Sequence, residues 1–350
     1  MRYALVSDIH ANEQAWEAVL ADTVKAGVDG IICLGDIVGY GPRPARVLES
    51  VYEHTDMFLL GNHDAVTCGR FDSDCFNDEA REIIEWTGRQ LNESAIDFFN
   101  QVPMMILGDT FALSHAEFAV PERFDYIYDP AEAMESFRAV EQQFLFCGHT
   151  HFPGTIRLLP DGGPDYRKPA DFKMEEGFRY LVNVGSVGDP RNGDTRASYV
   201  IYDLDQESVA FRNVPFDIEA YRLDIEYAGI PTKPILFDYA DALTPVESVT
   251  QVREFHVDED AVARATAAED AVGLQRIDSS GLQSRRKLVV NAGTMGDGIS
   301  FRSSSAGRYQ KSDRNRLAVT LGICLGSLLI IGLALAWSYQ KAKDVKVAAQ

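Results

Sequence analysis

The sequence predicts an α/β fold with a C-terminal transmembrane helix, on three observations. Five short apolar runs recur at residues 3–6, 31–34, 57–60, 111–113 and 144–147. Stretches with helical spacing separate the first three. A long uncharged run follows at residues 317–337. Continuous apolar runs of four or so residues suit strands buried on both faces. Alternation of such strands with helices builds βαβ units and a mainly parallel sheet.

Each element has its own warrant. Tyr3, Ala4, Leu5 and Val6 form the first strand and lead into Asp8. Residues 13–25 carry Trp16, Val19, Leu20 and Val24 at helical spacing. A second helix spans residues 44–53, with Pro44 suited to a first helical turn. Residues 70–100 hold helix formers with Ile83, Ile84, Trp86 and Leu91, and predict a helical cap beside the site or, more plainly, a packed helix pair. Residues 179–183 read as a strand, and residues 198–202 and 208–212 as a closing hairpin.

The chemistry sits just beyond these strands. Asp8 and His10 follow the first run, Asp36 the second, and Asn62, His63 and Asp64 the third; His115 follows the fourth, and His149 and His151 the fifth. Five of the seven histidines fall in these blocks. Open α/β sheets bind ligands beyond the carboxyl ends of their strands, so donors from separate strands can meet in one crevice. One Asp-x-His alone is an ordinary surface loop, and Gly-Asn is an ordinary turn. Five blocks in order, each holding carboxylate, carboxamide or imidazole, instead spell a two-metal site. Asp36 can bridge two cations, and imidazole suits Mn, Fe, Zn, Ni or Co better than Mg or Ca alone. Two ions roughly 3.5–4 Å apart clamp the attacking and leaving oxygens of a phosphoryl centre and generate hydroxide at neutral pH.

The series Asp8-x-His10, Gly35-Asp36, Gly61-Asn62-His63-Asp64, His115 and Gly148-His149-x-His151 resembles the calcineurin-like metallophosphoesterase superfamily, in its bacterial phosphodiesterase-like branch. The likeness extends to residues 7–12, 33–41 and 183–191 and covers roughly residues 1–230. It implies a sandwich of two mixed sheets flanked by helices. It also implies a dinuclear, metal-dependent hydrolase that cleaves a phosphodiester or phosphomonoester by metal-activated hydroxide attack. Asp8, His10 and His151 would take one ion, Asn62, His115 and His149 the other, with Asp36 bridging. His63 would stay free of metal and face the phosphoryl group, with Asp64 as its orienting partner. A spare imidazole suits acid–base work near neutral pH.

Two departures mark the chain. Ala11 precedes Asn12 where many relatives carry a glycine, and Val184 stands where proline is frequent. Gly185 and Ser186 remain to offer groups to an anion. Arg191, in a Gly- and Pro-containing stretch that also reads as a plain turn, is placed to fork onto phosphate oxygens. Tyr40 lines the mouth of the site or packs in a turn.

Residues 1–240 therefore make the catalytic domain. Residues 241–316 contain the acidic run Asp258-Glu259-Asp260, Ala-rich stretches and serine clusters and are poor in aromatics, which predicts a mostly disordered linker with a helix at about 260–272. Residues 317–337 span roughly 31 Å at helical rise, the thickness of a bilayer core. Trp337 and Tyr339 sit at one edge as interfacial aromatics do. Gly322 and Gly326 match a helix-packing pattern that would permit dimerisation. Residues 338–350 form a short polar tail.

Met1 and Arg2 run straight into the first strand without a signal peptide, and five cysteines give neither a disulfide frame nor a zinc knuckle. The expected location is the membrane, as a single-pass tail anchor with the catalytic domain in the cytoplasm. The net charge of −20 argues against duplex nucleic acid as a partner. Expected substrates are a phosphorylated small molecule, a nucleotide or a phosphoprotein. The competing reading is a non-catalytic, membrane-tethered scaffold, and the complete donor set favours the enzyme.

Overall fold

The computed structural model describes residues 1–230, 234, 236–241 and 274–276. In chain order the first half comprises β1 (Arg2–Val6), α1 (Glu13–Ala26), β2 (Gly30–Cys33), α2 (Pro44–His54), β3 (Met57–Phe58) and α3 (Asn62–Thr67). It continues with α4 (Asp78–Gln90), α5 (Glu93–Gln101), β4 (Met105–Leu107), β5 (Phe111–Ser114), α6 (Ala133–Ala139) and β6 (Phe144–Cys147). The second half adds β7 (Gly154–Leu158), β8 (Pro164–Arg167), β9 (Phe172–Lys173), β10 (Arg179–Asn183), β11 (Ala197–Asp203) and β12 (Ser208–Val214). Helices α7 (Ile218–Ala228) and α8 (Leu236–Asp241) and strand β13 (Leu274–Arg276) complete the described chain.

The strands form two mixed sheets, ordered β3-β2-β1-β11-β12-β9 and β13-β4-β5-β6-β10-β7-β8. The mainly parallel sheet read from alternation alone is thus corrected. β1, β2 and β3 are parallel, but β11 joins β1 antiparallel and β12 follows it back. In the other sheet β5, β6 and β10 are parallel, while β4 runs against β5 and β7 runs against both β10 and β8. An apolar run of four residues reports burial on both faces but not the direction of the partner strand.

Period-two alternation places each residue. Tyr3, Leu5, Ile32 and Leu34 from the first sheet meet Leu113, Phe144, Phe146 and Val182 from the second, forming a dry layer between the sheets. Ala4, Val6, Ile31 and Cys33 point the other way, onto Trp16 and Val19 of α1 and Val47 and Val51 of α2. On the far side Ala112, Leu145 and Leu181 pack under Ala133 and Phe137 of α6. The result is a sandwich of sheets between helices, with β1, β2, β5, β6, β10 and β11 buried on both faces.

Helix α1 starts where predicted because the Asn12 side chain accepts from the Ala15 amide, and it ends at Gly27 in the left-handed conformation. The Asn12 amide also donates to the Gly188 carbonyl at 2.8 Å, tying the helix start to the loop after β10. Helices α4 and α5 pack against α3, as the predicted helical pair. Strand β3 is shorter than residues 57–60: Leu59 N still donates to Cys33 O of β2 at 2.8 Å, but Leu60 N turns to Pro103 O at 2.9 Å ahead of the Gly61 turn.

One segment of the expected linker, β13, pairs parallel with β4 at the edge of the second sheet. Average composition hid it, because three residues suffice to cover an open edge. The rest of the linker, the helix at 260–272, the span at 317–337 and the tail lie outside the described residues. Among the described residues no helix is long and apolar enough to cross a membrane.

Candidate metal centre

The turns that follow the strands carry unusual backbone. Among the described residues nine non-glycine residues have positive φ, and seven of them, Asp8, His10, Ala11, Asp36, Tyr40, His149 and His151, belong to these turns. Each left-handed residue costs of order 1–3 kcal/mol and persists only where surrounding bonds fix it. The bonds are present: Asp8 N donates to Gly35 O at 3.0 Å, His10 N to Asp36 O at 3.0 Å, and Gly188 N to Asp8 O at 2.8 Å. Gly148 lets the turns approach, since a Cβ there would come within 2.1 Å of Ser7 Oγ and 2.4 Å of Asp8 Oδ2.

Three donor clusters result: Asp8 with His10 and His151, His10 with Asp36 and His63, and Asp36 with His115 and His149, each within 4.8 Å. His10 Nε2 lies 3.2 Å from His151 Nε2, and His151 Nε2 lies 3.2 Å from Asp8 Oδ1. Asn62 Oδ1 stands 3.2 Å from His115 Nε2. Asp36 Oδ2 is 3.8 Å from His10 Nε2 and 3.4 Å from His115 Nε2, so one oxygen reaches both flanking groups. All seven expected ligands are buried and gathered in one place. Asp8, Asp36 and Asn62 come from turns of the first sheet, and His115, His149 and His151 from turns of the second.

The imidazoles are held by their far nitrogens. His10 Nδ1 donates to Val38 O at 3.1 Å, His115 Nδ1 to Leu34 O at 3.0 Å, and His151 Nδ1 to Asp189 O. A carbonyl only accepts, so each Nδ1 carries a proton and each Nε2 is the atom left facing inward, the orientation metal-ligating histidines require. Asp8 Oδ1 and His149 Nε2 are buried with no hydrogen-bond partner. Buried polar atoms left unpaired are costly. Converging lone pairs, unpaired acceptors and a carboxylate between two clusters fit divalent cations, which would satisfy all three.

Charge among these side chains is divided unevenly. Burial opposes ionisation of Asp8, yet His151 and His115 hold its carboxyl well below the usual range. Burial likewise opposes Asp36, which His115 and His63 draw down. Burial pushes His149 down to about 3 and His63 to about 4. Burial also disfavours a charged His115, but the Asp36 and Asp8 carboxylates raise it to about 9. His115 thus keeps a proton on Nε2 at neutral pH, and a cation bound there must displace it. Metal uptake at pH 7 is expected to release about one proton per chain, and affinity should fall with acidity below about pH 9. Calorimetric titration in two buffers of different ionisation enthalpy measures this, and no proton release would contradict the assignment of His115.

The expected pairing of Asp64 with His63 is not made. Asp64 Oδ1 accepts from Ile37 N at 3.0 Å and Val38 N at 3.2 Å, and Oδ2 from Gly61 N at 3.3 Å. Burial and the Asp36 charge push this carboxyl up to about 8, against the pull of those amides. Asp64 therefore ties two turns together, and proximity in sequence misled because residue i+1 on a helix faces away from residue i. His63 Nδ1 is buried without a partner, while the ring meets His10 edge-on at 4.9 Å and Tyr40 at 4.6 Å.

Ser186, expected to contact substrate, is fully buried: its Oγ donates to Asp8 O at 2.9 Å and accepts from Asp189 N at 2.8 Å. It is a tie beneath the Asp8 turn. Tyr40 does flank the cluster, with its ring 4.7 Å from that of His10. The Arg191 guanidinium lies 5.5 Å from the Tyr40 ring centre and bonds Asp189 Oδ2 at 3.2 Å.

Three residues of the site escaped sequence reasoning. Asp189 accepts from both His151 and Arg191. Tyr126 stacks on His149 at 4.0 Å and 19°, and Tyr128 stacks on Tyr126 at 5.2 Å and 11°. The only signal was the aromatic alternation Tyr126-Ile127-Tyr128, which looks like any half-buried strand.

Known proteins agree with this geometry. Residues 1–207 match the Calcineurin-like phosphoesterase superfamily domain. A metallophosphoesterase structure from Sphaerobacter thermophilus is similar at 36% identity and TM-score 0.60, over 69% of this chain and 98% of that one. The uncharacterised protein MJ0912 of Methanocaldococcus jannaschii is 34% identical over 224 residues, 62% of this chain and 88% of its own. The phosphodiesterase YfcE of Escherichia coli is 23% identical over 226 residues, 61% of this chain and 93% of its own. With its fold and its buried donor set, the chain belongs to the calcineurin-like phosphoesterase superfamily and is a metal-dependent phosphoester hydrolase.

Proposed function

We propose that the chain holds two divalent cations and hydrolyses a small phosphodiester, with phosphomonoesters as the alternative. The observation that carries this reading is the position of Asp36 Oδ2, 3.8 Å from His10 Nε2 and 3.4 Å from His115 Nε2. Asp8, His10 and His151 would hold one ion, Asn62, His115 and His149 the other, with Asp36 between them. Bound cations of this kind acidify water and neutralise phosphoryl oxygens.

The chain's own residues supply the rest. His63 Nδ1 has no hydrogen-bond partner, so the imidazole is uncommitted and would donate to the leaving oxygen; the charge of a bound phosphoryl group opposes the burial that holds its pKa at about 4. Arg191 forks onto a non-reacting phosphate oxygen while Asp189 and Tyr40 hold its plane. Burial of the donors keeps bulk water from competing for the phosphoryl group.

Metal analysis with a panel of bis-p-nitrophenyl phosphate, p-nitrophenyl phosphate and a phosphopeptide tests the proposal. We expect two ions per chain, chelator-sensitive turnover and preference for the diester. One ion per chain would overturn the dinuclear assignment, and no turnover with Mn, Fe, Co, Ni or Zn would favour the scaffold. Manganese is our first choice for loading, since carboxylate, carboxamide and imidazole together suit it.

Arg191→Ala is expected to raise KM about tenfold with a smaller loss in kcat, the pattern of an interaction made equally in ground and transition states. Unchanged steady-state kinetics on all three substrates would reduce Arg191 to a partner of Asp189. The uncharged run at 317–337 supports a membrane tether for this activity. Recovery of the full chain in the detergent-extracted membrane fraction checks it, and recovery in the soluble fraction would refute it.

A further inference from the structure

Beside the donor clusters stands a ladder of rings with no packing task at its outer end. His149, Tyr126 and Tyr128 lie nearly parallel, at 4.0 Å and 19° for the inner pair and 5.2 Å and 11° for the outer. The inner ring belongs to an expected metal ligand. The outer two are exposed, Tyr126 at 45% and Tyr128 at 59%. Large aromatic side chains bury readily and dominate packing where they do, so two stacked and solvent-facing tyrosines call for another explanation.

The segment that carries them is fixed in advance. Glu132 Oε2 accepts from the Tyr128 and Asp129 amides, the latter at 3.1 Å. Asp129 Oδ1 accepts from the Ala131 and Glu132 amides at 2.7 and 3.0 Å. On the other flank the Tyr40 ring lies 4.7 Å from that of His10 and has the Arg191 guanidinium 5.5 Å from its centre. The donor clusters are thus flanked by a guanidinium beside Tyr40 and by an aromatic ladder running outward from His149.

We propose that Tyr126 and Tyr128 are a stacking platform that selects phosphoesters bearing a planar aromatic group, and a nucleobase in particular. The proposal rests on the phosphoesterase reading and names the substrate class of that site: a nucleotide phosphoester. Its phosphate sits over the donor clusters within reach of Arg191, and its base lies against the tyrosine pair. Base–aromatic stacking contributes roughly 1–3 kcal/mol per base, and every base has a face to offer. The platform therefore gives preference for nucleotides over sugar phosphates without choosing among bases. The acidic surface of the chain does not oppose this, because the cations supply the local positive charge.

The test compares adenosine 5′-monophosphate with ribose 5-phosphate, which share a phosphorylated sugar and differ by the base. Calorimetry on the metal-loaded full chain is expected to give about tenfold tighter binding of the nucleotide. Tyr128→Ala should reduce that preference below about twofold, and Tyr128→Phe, which keeps the ring, should retain it. Metal content and the melting temperature of each variant show whether the loop and the centre have survived. Equal binding of the two ligands by the unaltered chain overturns the platform, as does a preference that persists in Tyr128→Ala. Hydrolysis of bis-p-nitrophenyl phosphate by the same preparation separates the two failures. Turnover without a base preference removes the platform alone, and absence of both turnover and inorganic phosphate binding removes the phosphoesterase reading with it.

Discussion

Asp36→Asn is expected to abolish catalysis and empty the metal centre together. The side chain does two things at once: Oδ1 accepts the His63 amide at 2.9 Å, and Oδ2 faces the Nε2 atoms of His10 and His115 at 3.8 and 3.4 Å. A carboxamide has one acceptor oxygen for these two tasks, and its NH2 group would confront cations wherever it replaced Oδ2. Loss of an outer partner of a metal site costs 10–100-fold, and loss of the shared ligand should exceed about 10³-fold in kcat/KM. Elemental analysis and turnover should fall in step. Two ions per chain with near-normal turnover in this variant would sink the assignment of Asp36 as the bridge.

His63→Ala is expected to separate what Asp36→Asn joins. The backbone amide that Asp36 accepts from survives the substitution, and no ligand of either expected ion is removed. Loss of a positioned acid should cost roughly 10²–10⁴-fold in kcat, with both ions retained. The third cluster, His10 with Asp36 and His63, gives the competing outcome. Should His63→Ala lose metal on the scale of Asp36→Asn, the imidazole is a ligand and the acid lies elsewhere.

The donor set was legible in the sequence because metal ligation restricts residue type, and strand ends restrict position. Asp8, Asp36, Asn62, His115, His149 and His151 needed only those two constraints, and the structure brings all of them together with His10. Partners chosen by geometry were less legible. Asp64 follows His63 directly, yet the turn of α3 sends its carboxylate to the amides of Ile37, Val38 and Gly61. Ser186 stands in a Gly-Ser pair that suggests an anion site, but its hydroxyl is spent on Asp8 and Asp189. Tyr126 and Tyr128 lie in a loop, where neither period two nor period 3.6 applies. Sheet direction was hidden for a similar reason: β4, β7 and β8 are paired by hairpins whose register no apolar run encodes.

The two halves of the donor set come from different sheets, and this gives the centre a role in the life of the fold. Asp8 and His151 are separated by most of the catalytic domain in sequence, yet their side chains are 3.2 Å apart across the seam between sheets. Neither sheet alone presents the full set, so the complete donor set exists only where the two sheets are packed together. A ligand that recognises only the finished state adds to its stability by mass action, by about 2.7 kcal/mol at a free concentration one hundred times its dissociation constant. Cations held by both sets would act as a rivet through the sandwich as well as reagents, and starving the chain of metal is expected to shorten its survival against proteases, measured as the rate of limited proteolysis with and without chelator.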